Sequence, residues 1–536
     1  MKSKFILAAA ILMLAVSSNI HAQGIIRGNS QGNALANLLG SPLHKMIMAE
    51  SAIQQLYVDS VDEEKLAEDA IKGMLKELDP HSVYTPAKNV KALTEPLEGQ
   101  FEGIGIQYNM VEDTLVVIQP VSNGPSEKKG IMAGDRIIFV NDSSIAGQKF
   151  TTEDIQRRLR GPKGTKVKLG VMRPDVKGIH DFTIIRDKIP VFSIDAKYMV
   201  DATTGYIRIN NFGATTYDEF ISAIRMLQDK GMVDLILDLQ GNGGGYLQAA
   251  VQISNEFLDA GDLIVYTEGR SMPRMEYHAD GSGRVRSGKV IVLVDSYTAS
   301  ASEIVSGAIQ DNDRGIIVGR RTFAKGLVQR QINLPDGAII RLTTAHYYSP
   351  SGRCIQKPYE KGKRADYDRD LISRLNSGEL TNPDSIHFPD SLKYTTLKRH
   401  RTVYGGGGIM PDVYVPLDTT QTTPLHRELL AKSCINHTSL KYADKNRKRL
   451  KKAYKTFDDF NANYQVEDNM IDLLKEYADK AKIQYTDSTL NAALPLVKLQ
   501  LKALLARDIW DMNEYYYIIN QASDIFKAGV KAIKEE

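Results

Sequence analysis

At 536 residues the chain is too long for one compact domain, and three or four units are expected. Hydrophobic residues make up 42% and charged residues 25%, an ordinary globular balance that excludes wholesale disorder. The formal charge of +3 lacks the basic bias that a nucleic-acid partner would call for.

The chain opens with Lys2 and Lys4, an apolar stretch over residues 5–16, and Ile20-His21-Ala22. That order reads as an export signal over residues 1–22, because the apolar run is too short to span a bilayer. Its loss leaves 66 basic against 65 acidic residues, so the mature chain is nearly neutral. No cysteine stands beside the cleavage site, which argues against a lipid anchor, and no later stretch is apolar enough to cross a membrane.

Residues 42–97 read as helical. Leu66, Ala70, Met74, Leu75 and Leu78 recur at helical spacing after the acidic start Asp62-Glu63-Glu64, and Pro80 ends the run. From about residue 98 to 188 the texture changes to short β runs between glycine-rich turns. Strands are expected over 104–108, 115–118, 136–140 and 167–172, with a short helix over 152–159. Residues 233–239 and 290–294 are continuous apolar runs, each followed by a helical pattern, as in a layered α/β core. Residues 358–400 are polar and read as an insertion or long loop.

The chain from about residue 423 onward is helical and charged. Residues 441–455 hold eight Lys or Arg and one Asp. That run reads as a solvated helix face, with contact to an anionic envelope surface as the alternative. Cys354 and Cys434 fall in different expected domains; one bridge and two free thiols both stay open.

Several chemical motifs fail on inspection. No His-Glu-x-x-His occurs, and two cysteines cannot build a Cys-rich zinc site. Gly28-Asn29-Ser30-Gln31-Gly32 lacks the preceding strand that a nucleophile elbow needs. Residues 319–326 and 241–245 resemble a phosphate loop and a dinucleotide loop only superficially.

What remains is a strand, residues 290–294, leading into Ala299-Ser300-Ala301-Ser302-Glu303-Ile304. Small residues at such a junction leave the first helical N–H groups free to face an anion. Thr322-Phe323-Ala324-Lys325-Gly326-Leu327-Val328-Gln329 then sets a lysine among apolar and small neighbours. To serve as a base near neutrality, that lysine needs its pKa lowered by roughly three units, about 4 kcal/mol. Taken alone, Ser300 reads as a helix cap and Lys325 as a surface charge.

Together these segments resemble the carboxy-terminal processing, or tail-specific, serine proteases. The resemblance implies Ser300 as nucleophile, Lys325 as general base 25 residues on, and Gln329 as the residue that positions it. Gln310-Asp311 also matches, with Asp311 as a supporting residue. Ala324 departs from a usual Gly. In Leu237-Asp238-Leu239-Gln240-Gly241-Asn242-Gly243-Gly244, Gln240 replaces a usual Arg and Gly243 a usual Pro. That loop resembles the segment supplying one oxyanion donor; the N–H groups of Ala301 and Gly244 are assigned to the oxyanion hole, with Gly243 in reserve.

Phe101-Glu102-Gly103-Ile104-Gly105-Ile106 resembles the carboxylate-binding loop of a PDZ domain, and residues 130–137 resemble the turn and strand that follow. The resemblance implies that Gly103, Ile104, Gly105 and Ile106 offer N–H groups to a terminal carboxylate and a strand edge to the peptide. Leu78-Asp79-Pro80-His81-Ser82 and Gly408-Ile409-Met410-Pro411-Asp412 extend the match over residues 45–417.

The expected fold is therefore α/β, with a layered crotonase/ClpP-like protease core over 189–417 and a PDZ domain inserted at 98–188. An N-terminal helical region covers 23–97 and a C-terminal helical extension 418–536. The implied activity is that of a secreted serine endopeptidase of the periplasm or cell envelope, needing no metal or cofactor. Its partners would be protein substrates with accessible, rather apolar C-termini. A catalytically inactive PDZ scaffold and an acyl-thioester enzyme on the same core are the competing readings. Peripheral envelope contact and homo-oligomerisation through the terminal helices stay open.

Overall fold

A computed structural model describes residues 41–173, 176–420 and 422–535, in two units divided after Met74. The expected export signal and the Gly28-to-Gly32 segment lie outside these residues. In the first unit, helix Pro42–Leu56 starts on Ser41, whose hydroxyl accepts the His44 N–H at 3.2 Å. None of its residues is buried, and Leu43, Met48 and Leu56 are exposed.

In the second unit, the continuous apolar runs form the middle of a six-stranded sheet. Its order is Ile194–Met199, Thr204–Ile209, Asp234–Asp238, Val290–Val294, Ile316–Gly319, Val413–Tyr414. Only the first pair is antiparallel. A parallel sheet has to be covered on both faces. Helices Thr216–Gln228, Leu247–Asn255 and Ala301–Asp311 cover one, over Leu235, Leu237, Val290, Val292 and Ile317. The other face, with Tyr206, Ile236, Ile291 and Leu293, is covered by the last helix, Asp524–Glu535. A Cβ on Gly529 of that helix would stand 2.6 Å from Leu293 Cδ2, so glycine permits the approach. The C-terminal extension thus completes the core sheet.

A second, antiparallel sheet carries Ile339–Tyr348 at its centre, paired with Leu327–Asn333, Leu263–Gly269 and Val83–Thr85. The last of these interrupts the region read as helical. At three residues it is too short to show a period, and only its partner strand makes it β.

Residues 100–190 form a separate antiparallel sheet, Ile106–Val111, Thr114–Pro120, Arg136–Val140, Lys166–Met172 and Ile179–Ile185 in order. Helix Thr152–Leu159 packs Ile155 and Leu159 onto its core and starts on Thr151 in a reciprocal cap with Asp154. Gln100–Gly103 pairs with Asp187–Pro190, so the chain enters and leaves this body through one two-stranded stem.

In the C-terminal extension, helices Cys434–Ala453 and Asp487–Ile509 share an apolar core. The basic run on the first is less solvated than its composition suggests. Lys441 pairs with Glu112 at 2.5 Å, Arg447 donates to the Asp508 carbonyl at 2.6 Å, and Arg449 pairs with Glu467 at 2.8 Å. Beside Lys441, Leu440 packs on Val111 and Val116 of the smaller sheet, and Asp444 pairs with Arg136. Residues 358–400 also depart from a plain loop, with helices Arg364–Asp368 and Asp370–Asn376 and strand Lys393–Thr395. Cys354 and Cys434 are both free thiols. No described helix is long and apolar enough to cross a membrane.

Candidate active site

Strand Val290–Val294 ends in a turn organised by Asp295. Its Oδ1 accepts the N–H groups of Tyr297 and Thr298 at 2.9 and 3.0 Å and, from the facing glycine loop, that of Gly241 at 3.0 Å. The turn delivers Ser300 to the head of helix Ala301–Asp311 with φ of 57°, where residues other than glycine are seldom found. Such a conformation persists only where the surroundings impose it.

Glu303 imposes it. The Ser300 N–H donates to Glu303 Oε2 at 2.8 Å. The same buried carboxylate accepts the N–H groups of Ala324 and Lys325 at 2.8 and 2.9 Å and the Thr322 hydroxyl at 2.5 Å. Burial raises its pKa above the usual carboxyl range, and these donors oppose the rise. From the other side, the buried Tyr347 hydroxyl lies 2.6 Å from the Lys325 carbonyl and 3.2 Å from that of Ser300. One side chain gathers the N–H groups of both residues and another their carbonyls.

Lys325 Nζ donates to Gln329 Oε1 at 3.0 Å, and Gln329 Nε2 donates to the His81 carbonyl. His81 is anchored in turn by Asp79, whose Oδ1 accepts the His81 N–H at 2.8 Å and the Thr343 hydroxyl at 3.0 Å. Burial first, then the charge of Arg341, lowers the Lys325 pKa to about 8. Burial and the Lys325 charge push the His81 imidazole down to about 4, so it is neutral near pH 7. Ser300 and Lys325 line one cavity of about 410 Å³, although no hydrogen bond joins Nζ to the Ser300 hydroxyl among the described residues. No described cluster of His, Cys, Asp and Glu is suited to hold a metal ion.

The opposite wall is the glycine loop after strand Asp234–Asp238. Buried Asn242 donates to the Ile209 carbonyl at 2.9 Å, and its Oδ1 accepts the Gly244 N–H at 2.8 Å. That bond occupies the donor assigned from sequence to an oxyanion. The N–H groups of Gly243 and Ala301 have no acceptor among the described residues, and both residues line the cavity. Gly244 is required for another reason. A Cβ there would lie 2.8 Å from both Ser300 Cβ and Ala301 N, and its φ is 96°. Arg208, from the neighbouring strand, donates to Asp238 and to the Gln240 carbonyl at 2.7 Å each. It brings a guanidinium to the loop where Gln240 replaces one.

In the smaller sheet, Ile104, Gly105, Ile106 and Tyr108 face Leu159 and Arg160 across a groove of about 120 Å³. The N–H groups of Ile104 and Gly105 have no acceptor among the described residues, and Gly105 has φ of 72°. Ile106–Val111 is the edge strand of the sheet. Gly103, expected in this loop, instead belongs to the stem strand, paired with Asp187, and lies outside the groove lining.

A carboxy-terminal-processing protease of Bartonella bacilliformis is 36% identical over 358 residues, covering 66% of this chain and 80% of its own. The carboxy-terminal processing protease CtpA of Bacillus subtilis is 36% identical over 349 residues, covering 64% and 74%. The chain belongs to the carboxy-terminal processing proteases. The model of peptidase family S41 matches residues 203–368 and that of the PDZ domain residues 93–172. The N-terminal domain of the activating protease CtpB matches residues 9–89, and a family of unknown function residues 425–511. A solved photosystem II D1 C-terminal processing protease aligns over 72% of this chain and 89% of its own, at 24% identity and a TM-score of 0.37. The protein is thus a serine-type peptidase with an α/β core and a PDZ domain.

In this carboxy-terminal processing protease, Ser300, Ala301, Gly243, Gly244, Lys325 and Gln329 come together at one cavity. Asp311 does not join them. It forms a buried ion pair with Arg353 at 2.6 Å and accepts the Ser351 hydroxyl at 2.6 Å, while Gln310 holds the Met410 carbonyl at 2.8 Å. Asp311 fastens residues 351–353 to its helix, and Gln310 fastens residues 410–412. Glu303, Tyr347, Asn242 and Arg208 were given no role from sequence. Glu303 carried a signal, the Ser-x-x-Glu spacing of a reciprocal cap. Tyr347 and Arg208 lie on other strands and carried none.

Proposed function

We propose that this protease cuts peptide bonds by acyl transfer, with Ser300 as nucleophile and Lys325 as general base. Neutral Lys325 takes the proton from the Ser300 hydroxyl as its oxygen bonds to the substrate carbonyl carbon. The Lys325 bond to Gln329 leaves the nitrogen lone pair free to face the serine. The developing oxyanion is received by the N–H groups of Ala301 and Gly243, which lack other acceptors. Lys325 then returns the proton to the leaving amine, and water releases the acyl group from Ser300.

The observation that carries this reading is the shared clamp of Glu303 and Tyr347 on the backbones of Ser300 and Lys325. A merely structural serine and lysine would need no such joint restraint. The PDZ groove holds an accessible, rather apolar protein C-terminus by its carboxylate and raises its concentration at the cavity. The basic, then apolar start of the chain directs the enzyme out of the cytoplasm to the periplasm or cell envelope.

Degradation of an unfolded protein by the purified mature chain tests the dyad. Ser300→Ala is expected to abolish it while binding of a C-terminal peptide to the PDZ groove is unchanged. Full activity in that variant would overturn the assignment.

A further inference from the structure

The charged residues lining the catalytic cavity are Lys325, Arg330 and Arg341, with no aspartate or glutamate among them. Arg330 is exposed. Arg341 is not: it rises from strand Ile339–Tyr348, and its Nε–H is buried without a hydrogen-bond partner. No ion pair or hydrogen bond reaches the rest of its guanidinium among the described residues. Arg208 and Arg374 also carry a buried Nε–H without a hydrogen-bond partner, but their other nitrogens are engaged, Arg208 on Asp238. Arg341 differs in having no acceptor on any nitrogen among the described residues. Arg353 holds Asp311, Arg321 holds Glu379 and Arg374 donates to the Thr322 carbonyl. An arginine left without an acceptor in a cleft lined by substrate-binding and reacting groups leaves its counter-charge to be supplied from outside.

We propose that Arg341 is a specificity residue that receives a carboxylate of the substrate, so that peptide bonds with an acidic group close by are cut preferentially. The proposal rests on the reading of Ser300 and Lys325 as the reacting pair. A planar guanidinium presents paired N–H donors that a carboxylate accepts in two parallel bonds, and the cavity holds no protein carboxylate to compete. A neutral carbonyl of the substrate could take the Nε–H but would leave the charge unanswered. The carboxylate comes either from an Asp or Glu side chain or from the chain terminus when the leaving piece is short.

Arg341 also acts on the neighbouring lysine. Its charge helps keep Lys325 neutral, beside burial, against the opposing fields of Glu303 and Asp79; neutral His81 adds no charge.

The test is the pattern of cut sites left by the full chain in a peptide library prepared from a denatured proteome, followed by matched synthetic peptides. Asp and Glu are expected to be enriched at one position near the cut. Replacing that residue by Gln should lower kcat/KM by at least about tenfold. Arg341→Lys should keep the preference, Arg341→Met lose it, and Arg341→Glu turn it toward Lys and Arg. A preference for free-acid over amidated termini, lost in Arg341→Met, would assign the terminal carboxylate as the source. Equal rates for Glu and Gln peptides, with free-acid and amidated termini also equal, would overturn the proposal. These wild-type comparisons test it whatever the variants' folding. A wild-type chain that cuts no peptide, or a Ser300→Ala chain that cuts them all, would remove the dyad and this inference with it.

Discussion

The two walls of the catalytic cavity are built on opposite plans. On one, a buried carboxylate and a buried phenol fix the backbones of Ser300 and Lys325 from both sides. On the other, the Asp295 carboxylate holds residues 241–245 only at their start, neutral Asn242 holds the rest, and nothing stands within 4 Å of a Cβ at Gly243. The first wall must keep two residues in uncommon conformations, Ser300 and Ala324 with φ of 57° and 76°. Charge-assisted bonds can sustain that strain. In the proposed mechanism the second wall lets a substrate carbonyl approach its N–H groups, which glycine allows.

Removing the anchor of the first wall should have the largest effect. Glu303→Ala leaves three N–H groups, that of Ala324 fully buried, and a buried hydroxyl without their acceptor, and each buried unsatisfied donor costs about 1–3 kcal/mol. Loss of both peptidase activity and several kcal/mol of stability in denaturant unfolding is expected. A variant that melted early yet cut normally would show that the clamp is structural only.

A methyl group on the second wall comes next. Gly244→Ala meets Ser300 and Ala301 at 2.8 Å and should lower kcat by about a hundredfold or more. Gly243→Ala, with open space around it, should stay within about threefold of wild type. Equal losses in the two would mean that the loop moves as a body and that local clearance does not decide.

The pH profile gives a graded effect. Only neutral Lys325 can accept a proton, so kcat/KM should level off above pH 8 and fall about tenfold for each unit below it. Arg341→Gln removes a neighbouring positive charge, which raises the Lys325 pKa and moves the fall to higher pH. A flat profile between about pH 6 and 9 would argue that another group is the base.

The smallest effect is expected at Ala324, whose Cβ is carried in the left-handed region. Ala324→Gly relieves about 1–2 kcal/mol of backbone strain but gives an unfolded chain about 0.5–1 kcal/mol freer. A net gain of about 1 kcal/mol or less, with activity unchanged, should appear as a slightly raised unfolding midpoint.

Much of this molecule was legible in its sequence. The strands Arg136–Val140 and Val290–Val294 and the helix Thr152–Leu159 fall where apolar runs and periodicity set them. Local pattern reports burial directly, so such elements need no partner to be recognised. Ser300, Lys325 and Gln329 are singled out by the resemblance to the carboxy-terminal processing proteases, whose pattern these segments match in order and spacing within 30 residues.

The rest depends on residues far apart in the chain. Val83–Thr85 is a strand only because Ile339–Tyr348 lies beside it. The Gly244 N–H is taken by Asn242, two residues away, through a side-chain orientation that spacing does not encode. Tyr347, Arg208 and Arg341 reach the cavity or its loops from other strands, where nothing in their neighbourhood distinguishes them from ordinary sheet residues. The last helix likewise reads as a charged tail, and only the parallel sheet's need for a second cover gives it a place in the core. Chemistry-bearing segments and periodic elements are local properties, settled by residue type and spacing. Which N–H is free, which arginine lacks a partner and what covers the sheet are decided by packing between distant parts of the chain.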